Sequence, residues 1–450
     1  MKALWLGLLG ASCLHAAPPV IDAIYPAGGQ RGNSVAVELI GKVPDEGLQF
    51  WASDPGIRYE EGKLVLSDDC SLGAHWVRFY NAEGSALPQL FVVGYDEERQ
   101  EEEPNDEVSE AMVIERWPVI VNGQLSKSGE SDLFAVELEK GDTFDVEVTA
   151  YRIDSPLDPL LRLMDGEGNV VAWNHDRYDS LDSRLVHTAI YTGKHYLMVA
   201  GFVYPPAARS RFAGSKETVY RLAFGDGSVQ ERDSSLELIG NAGEEDHVSL
   251  EAEKGITYQI EVEAQSLNSA LDPWLEIRNP EGKVLAKNDD SAGVDALLSW
   301  KAPATETYTI ALRDLLHQGG KDYHYKLIVE EAQPSYEVQV KDHAWTMTEG
   351  ELLEIPVTVK RKHGHARPIT VTLEGLPLSI DAQALTIPGK ASEGVLRLGA
   401  SSESMAVIRL SATDHLTTRS VYYPFKGATT DQDALLRNKL EDFLLNARKQ

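Results

Sequence analysis

One long stretch occurs twice in this chain, and that duplication limits what it can fold into more than any other feature. From Gly129 the sequence reads GESDLFAVELEKGDTFDVEVTAYRIDSPLDPLLRLMDGEGNVVAWNHD, and from Gly243 it reads GEEDHVSLEAEKGITYQIEVEAQSLNSALDPWLEIRNPEGKVLAKNDD. Asp158 and Asp272 hold the same place, an offset of 114 residues (272 − 158), and no gap intervenes as far as Asp176 and Asp290. Roughly twenty aligned positions are identical, far beyond what shared strand composition produces, so the unit is a true repeat. Apolar and polar residues alternate within both copies, as in Phe144, Val146, Val148 and Tyr258, Ile260, Val262. A period of two marks strands with one buried face. Turn signals fall at matching places: Lys140-Gly141 and Lys254-Gly255, Glu167-Gly168 and Glu281-Gly282, Asn174 and Asn288. About a hundred residues of short strands and such turns predict a β-sandwich.

The flanking sequence extends this to an all-β string of four β-sandwich modules. At 450 residues the chain is too long for one sandwich. Residues 18–95 carry alternating strands at Val35-Val37-Leu39, Trp76-Val77-Arg78-Phe79 and Leu90-Phe91-Val92-Val93, the pattern of an immunoglobulin-like module. Residues 96–228 and 229–332 are the two repeats. Residues 333–426 again alternate, at Ile355-Val357-Val359 and Ile369-Val371-Leu373, and predict a second immunoglobulin-like sandwich. In 427–450 the period changes: Leu435, Leu436, Leu440, Phe443 and Leu444 share one face of a helical wheel, with Thr430 or Asp431 as cap, which predicts a short amphipathic C-terminal helix. That helix would dock on the last sandwich or on a partner.

Residues 1–17, MKALWLGLLGASCLHAA, have a charged start, an apolar run and small residues before Pro18, which is the form of a signal peptide. The expected location is secreted, periplasmic or cell-surface, with lipidation of Cys13 as the alternative. No later apolar run has the length of a membrane span. The net charge of −29 argues against a nucleic-acid partner, which needs a basic face. Cys70 stands beside Asp68 and Asp69, which oppose thiolate formation, and reads as a buried structural cysteine.

The most specific motif lies in the acidic segment 96–106. Glu101 and Glu103 alternate on an extended segment, so their carboxylates point the same way. Asn105 and Asp106 add oxygen donors, and Asp132, at the first strand of the repeat, would close the shell. Calcium takes six to eight oxygens at about 2.3–2.6 Å, which such a set can supply. The competing reading is a solvated acidic linker in which no core forms. The second copy's lead-in, GSVQERDSSLELIGNAG, has no counterpart of these residues, so a single calcium per chain is expected.

Glu101-x-Glu103-Pro104-Asn105-Asp106, followed by Gly129-Glu130-Ser131-Asp132, Leu157-Asp158-Pro159, Asn174-His175-Asp176 and Gly193-Lys194-His195-Tyr196, resembles the successive landmarks of the bacterial pre-peptidase C-terminal domain. The resemblance covers residues 101–226, and the second copy matches from Gly243 onward. It implies a sandwich that accompanies secreted peptidases and is similar to collagen- or carbohydrate-binding modules. In collagen-binding members the positions matched by Glu101, Glu103, Asn105, Asp106 and Asp132 hold structural calcium; Glu130 stands here where Asp is commoner. The opening PPVIDAIYPAGGQRGNSVAVELIG resembles immunoglobulin-like modules that precede such repeats in secreted planctomycete- and verrucomicrobial-type proteins.

Other constellations read as structural. Asn174-His175-Asp176 and Asn288-Asp289-Asp290 suit Asx-turns. The two Leu-Asp-Pro segments suit strand starts, and His363-Gly364-His365 suits an exposed basic hairpin. No G-x-S-x-G, H-E-x-x-H, C-x-x-C or phosphate-cradling loop is present. The expectation is therefore a non-catalytic binding or scaffold protein for an extracellular polysaccharide or protein polymer, with a possible cell-surface partner. The alternative is a carbohydrate-active or other hydrolase with an unrecognised site.

Overall fold

In the computed structural model the described residues are 17–44, 46–177, 180–203, 212–225, 236–265, 269–290, 295–321, 323–425 and 435–449. The signal-peptide reading of 1–17 falls, except for Ala17, outside them. The chain is all-β, a set of β-sandwich modules, and a 3-10 turn spans Tyr151–Ile153. Among the described residues no helix is long and apolar enough to cross a membrane.

The two copies fold with one topology. In the first repeat one sheet runs in the order Glu97–Gln100, Val119–Gln124, Val219–Phe224, Thr143–Thr149, Arg184–Thr188. The facing sheet runs Met112–Val113, Asp132–Leu138, Gly193–Val203, Leu157–Met164, Val170–Asn174. The second repeat gives Glu237–Leu238, His324–Glu331, Thr257–Glu263, Leu297–Lys301, facing Asp246–Ala252, Glu306–Asp314, Pro273–Arg278, Val284–Asn288. Alternate residues of these strands meet between the sheets. Phe144, Val146 and Val148 enter the first core with Phe134 and Leu161; Tyr258, Ile260 and Val262 enter the second with Leu275 and Tyr308.

Among the described residues the first repeat has two strands with no counterpart in the second, one in the acidic lead-in and one just after it. Glu97–Gln100 pairs in parallel with Val119–Gln124, and Met112–Val113 in parallel with Asp132–Leu138. Part of the segment read as a coreless linker is thus an edge strand: Glu97 faces solvent beside Arg116, while the Glu98 side chain is buried against Arg221, and the backbone completes a ladder, which charge composition does not forbid.

The C-terminal helix is corrected. Residues 439–440 and 442–448 are strands, Lys439–Leu440 and Asp442–Arg448, and the cap residues Thr430 and Asp431 lie outside the described residues. Asp442–Arg448 lies in the last module's sheet between Ala344–Thr348, in parallel, and Ser404–Thr413, antiparallel.

The modules also do not follow one another as beads. A separate apolar cluster joins Ala23, Trp76 and Leu90 of the first module to Ile153 and Val219 of the first repeat and to Phe425, Leu435 and Leu440 near the C-terminus. Trp76 stacks on Phe425 with centroids 4.1 Å apart. Gly28 serves the same junction, since a Cβ there would lie 2.2 Å from Arg221 Nε.

Candidate functional site

The lead-in strand delivers Glu101 beside the start of Asp132–Leu138. One carboxylate oxygen each of Glu101, Glu103 and Asp132 lies within 4.8 Å of the others. Glu101 Oε1 accepts the Gln124 amide at 2.8 Å, and Asp132 Oδ2 accepts the Tyr220 hydroxyl at 2.5 Å. Gly123 leaves room for this approach; a Cβ there would lie 2.3 Å from the Tyr220 oxygen and 2.7 Å from Glu101 Oε2. Asn105 is fully buried, and neither atom of its carboxamide has a hydrogen-bond partner. Asp132 Oδ1 and Asp106 Oδ1 are likewise buried and unpartnered. Asp106 turns its other oxygen to Lys127 Nζ at 3.4 Å, and lies outside the trio. Glu130, buried, accepts the Lys127 amide at 2.8 Å and so braces the loop.

Burial and crowding set the electrostatics. Burial pushes Glu101 up to about 7. Asp132 rises well above the ordinary carboxylate range, through burial first and the Glu101 charge second. Glu103 is raised by burial and then by Glu130. Carboxylates held this close repel when both are ionised, so a proton or a cation is needed between them. The donors are all oxygens, which suits a hard cation.

Sequence reasoning missed three participants. Tyr220 is the first; the signal for it was the shared Tyr-basic-Leu of Tyr220-Arg221-Leu222 and Tyr325-Lys326-Leu327. Tyr325 donates to Asp246 at 2.6 Å, so the second repeat keeps the tyrosine–aspartate pair. Tyr25 is the second, reaching from the first module to the Asn122 carbonyl at 3.2 Å and to within 3.5 Å of Glu101. Gly123 is the third.

Other readings are settled residue by residue. Asn174 Oδ1 accepts the Arg184 amide at 3.1 Å and Asn288 Oδ1 the Leu297 amide at 2.9 Å, so both asparagines fasten a loop to the next strand where Asx-turns were expected. Asp158, His175 and Asp176 converge within 4.8 Å, with His175 Nε2 3.4 Å from Asp158. Burial pushes Asp158 up to about 6. His365 is not exposed: it is buried, 3.0 Å from Asp414, and Arg361 donates to its Nδ1 at 2.7 Å. The expectation failed because Asp414, from a distant strand end, folds over the hairpin. Cys70 is buried, and its thiol is pushed up to about 11 by burial and by Asp54.

A groove of about 720 Å³ runs beside the exposed edge of Gln49–Ala52. It is lined by Phe50, Trp51, Tyr59, Arg58 and Glu60 of the first module and by Arg409 of the last.

No family model matches the chain. A 72-residue stretch is 35% identical to a probable subtilase-type serine protease of Deinococcus radiodurans, spanning 16% of this chain and a tenth of that protein's length. Among solved structures, the S-layer protein rSbsC is 12% identical, over 96% of this chain and 40% of that one, with a TM-score of 0.18. The four N-terminal immunoglobulin domains of a Dscam1 isoform are 12% identical over 97% and 98%, with a TM-score of 0.20. Fibronectin(III)-like modules of Clostridium thermocellum CbhA are 10% identical over 48% and 92%, with a TM-score of 0.15. At such scores these likenesses carry no functional information.

Proposed function

We propose that the chain is a secreted, non-catalytic binding protein whose first repeat is a pre-peptidase C-terminal type sandwich closed by structural calcium. The observation that carries this is the convergence of Glu101, Glu103 and Asp132 next to the unpartnered carboxamide of buried Asn105. A buried amide without partners costs about 1–3 kcal/mol, and a cation coordinated by its oxygen would remove part of that cost. Glu101, Glu103, Asp132 and Asn105 would hold the ion, with Asp106 as an outer carboxylate. Its chemistry would be charge neutralisation and fixation of the lead-in.

The groove between the first and last modules is the proposed seat of the ligand, a stretch of extracellular polysaccharide or protein polymer. It combines half-buried aromatic faces with Arg and Glu at its rim, which suits a long, polar chain with apolar faces. The partial likeness to a probable subtilase-type serine protease is in keeping with modules that accompany secreted peptidases. Binding to glycan and matrix-protein arrays, with calcium and with chelator, tests the reading. Saturable binding that Trp51→Ala removes supports it; hydrolysis of a polymer by the pure chain, abolished by one Asp or Glu substitution, would replace it with an enzyme.

A further inference from the structure

The first repeat carries three nitrogen and oxygen donors that its twin does not. His187, on strand Arg184–Thr188, lies opposite Phe144 in one sheet. His195, on strand Gly193–Val203, lies opposite Val136 in the facing sheet. Both point inward at one end of the sandwich, with ring centroids 6.4 Å apart. Tyr191, in the connection between them, stacks on His195 at 4.9 Å and 14°. His187 Nε2, His195 Nε2 and Tyr191 Oη are all buried without a hydrogen-bond partner.

The tautomer of His195 follows from its one polar contact. Its ring is fully buried and Nδ1 lies 2.9 Å from the Gly193 carbonyl, which can only accept. Nδ1 therefore carries the hydrogen, and in the neutral ring Nε2 presents a bare lone pair. An imidazole pinned in this way by a carbonyl is the arrangement that orients a metal-ligating histidine.

The duplication supplies an internal comparison. Register places Trp300, opposite Tyr258, where His187 stands, and Tyr308, opposite Leu250, where His195 stands. Trp300 and Tyr308 pack edge to face at 4.6 Å, and the Tyr308 hydroxyl donates to the Ala304 carbonyl at 3.2 Å. The second repeat thus closes this corner with aromatic area and a satisfied hydroxyl. The first repeat closes it with two imidazoles and a phenol whose donor atoms have no protein partner. Left unfilled, each such atom is desolvated with no compensating hydrogen bond.

We propose that His187, His195 and Tyr191 form a binding site for a borderline divalent transition-metal ion of the zinc and copper class. Two neutral imidazoles with one phenol oxygen suit such ions and not calcium, which takes oxygens alone. Burial, and then the neighbouring His195, lower the pKa of His187 and keep its ring in the neutral, ligating form. Ile190, 69% exposed, marks the solvent face of the short connection through which an ion would enter. The remaining coordination positions would hold water.

The test uses the full chain, stripped of metals and then kept in excess calcium, titrated with Zn²⁺ by calorimetry and with Cu²⁺ by electron paramagnetic resonance. The variant His187→Trp with His195→Tyr installs the second repeat's own pair. The site requires one Cu²⁺ per chain with hyperfine splitting from two imidazole nitrogens, a Zn²⁺-dependent rise in melting temperature, and at least a hundredfold weaker binding in the variant. The variant's retained calcium response and circular dichroism show that it is folded; should it not fold, Tyr191→Phe and His187→Gln give the same comparison singly. Absence of the two-nitrogen signal, or equal binding by a folded variant, overturns the site and leaves the calcium reading untouched.

Discussion

The indole Nε1–H of Trp76 donates to the carbonyl of Lys439, 363 residues later, at 2.9 Å. Two further bonds fasten the same edges: Arg78 Nη2 to the Asp442 carbonyl at 2.9 Å, and Asn446 Nδ2 to the Ala82 carbonyl at 2.7 Å. The first and last modules are thereby one packed body, and the groove that Trp51 shares with Arg409 exists because they meet.

Removing Trp76 should therefore act on both modules at once. Trp76→Ala takes away a 2% exposed indole, a loss of about 3–5 kcal/mol for a large core aromatic. Calorimetry should then show the two modules melting as separate transitions; a single transition shifted as a whole would contradict this account of the interface.

Calcium stabilisation should belong to the first repeat alone. Calcium at a hundredfold excess over Kd adds about 2.7 kcal/mol to the native state, read as a rise in melting temperature and slower proteolysis between Tyr95 and Val108. Asp132→Asn should abolish both effects, and Asp246→Asn, its counterpart in the second repeat, should leave them intact. Two equal sites in a titration would refute the assignment.

The pH dependence follows from Glu101. Its folded value, raised to about 7, lies above the ordinary glutamate value of about 4.3. The native state therefore binds more protons than the unfolded chain between those values, and stability without calcium is fully present below about 4.3 and lost as pH rises to 7. Calcium competes with that proton, so binding near pH 7 should release one, and affinity should fall as pH drops. Calorimetry in buffers of different ionisation heat measures the release; a pH-independent affinity between 5 and 7.5 would be inconsistent with the crowded pair.

The last module has its own buried ionic knot. Asp414 accepts from His365, from Arg367 and from the Thr417 and Leu416 amides, and these contacts hold its carboxyl far below the usual range. Asp414→Ala strands His365 and should cost about 3–5 kcal/mol, measured by denaturant unfolding. A loss under 1 kcal/mol would mean that solvent replaces the carboxylate freely.

Much of this was legible in the chain itself. Period-two alternation in Phe144, Val146 and Val148 fixes which face of a strand is buried, and a constant offset of 114 residues fixes that two units share a topology. The order Glu101, Glu103, Asn105, Asp106 named three of the residues that crowd the candidate site, because local spacing on an extended segment sets where side chains point. What the linear order could not carry is which distant strands meet. Tyr220, Tyr25 and the His187–His195 pair enter their sites only through sheet pairing and module contacts.

The C-terminal segment marks the boundary most clearly. Leu440, Phe443 and Leu444 satisfy a helical wheel, yet Asp442–Arg448 is a strand buried on nearly every residue. Phe443, Leu445 and Ala447 enter the last module's core, while Asn446 and Arg448 bond to the first module. A strand covered on both faces loses the alternation by which strands are recognised, and its apolar run reads as a helix. The sequence determined the strands that have one wet face; the structure of this one was decided by a surface more than 350 residues away.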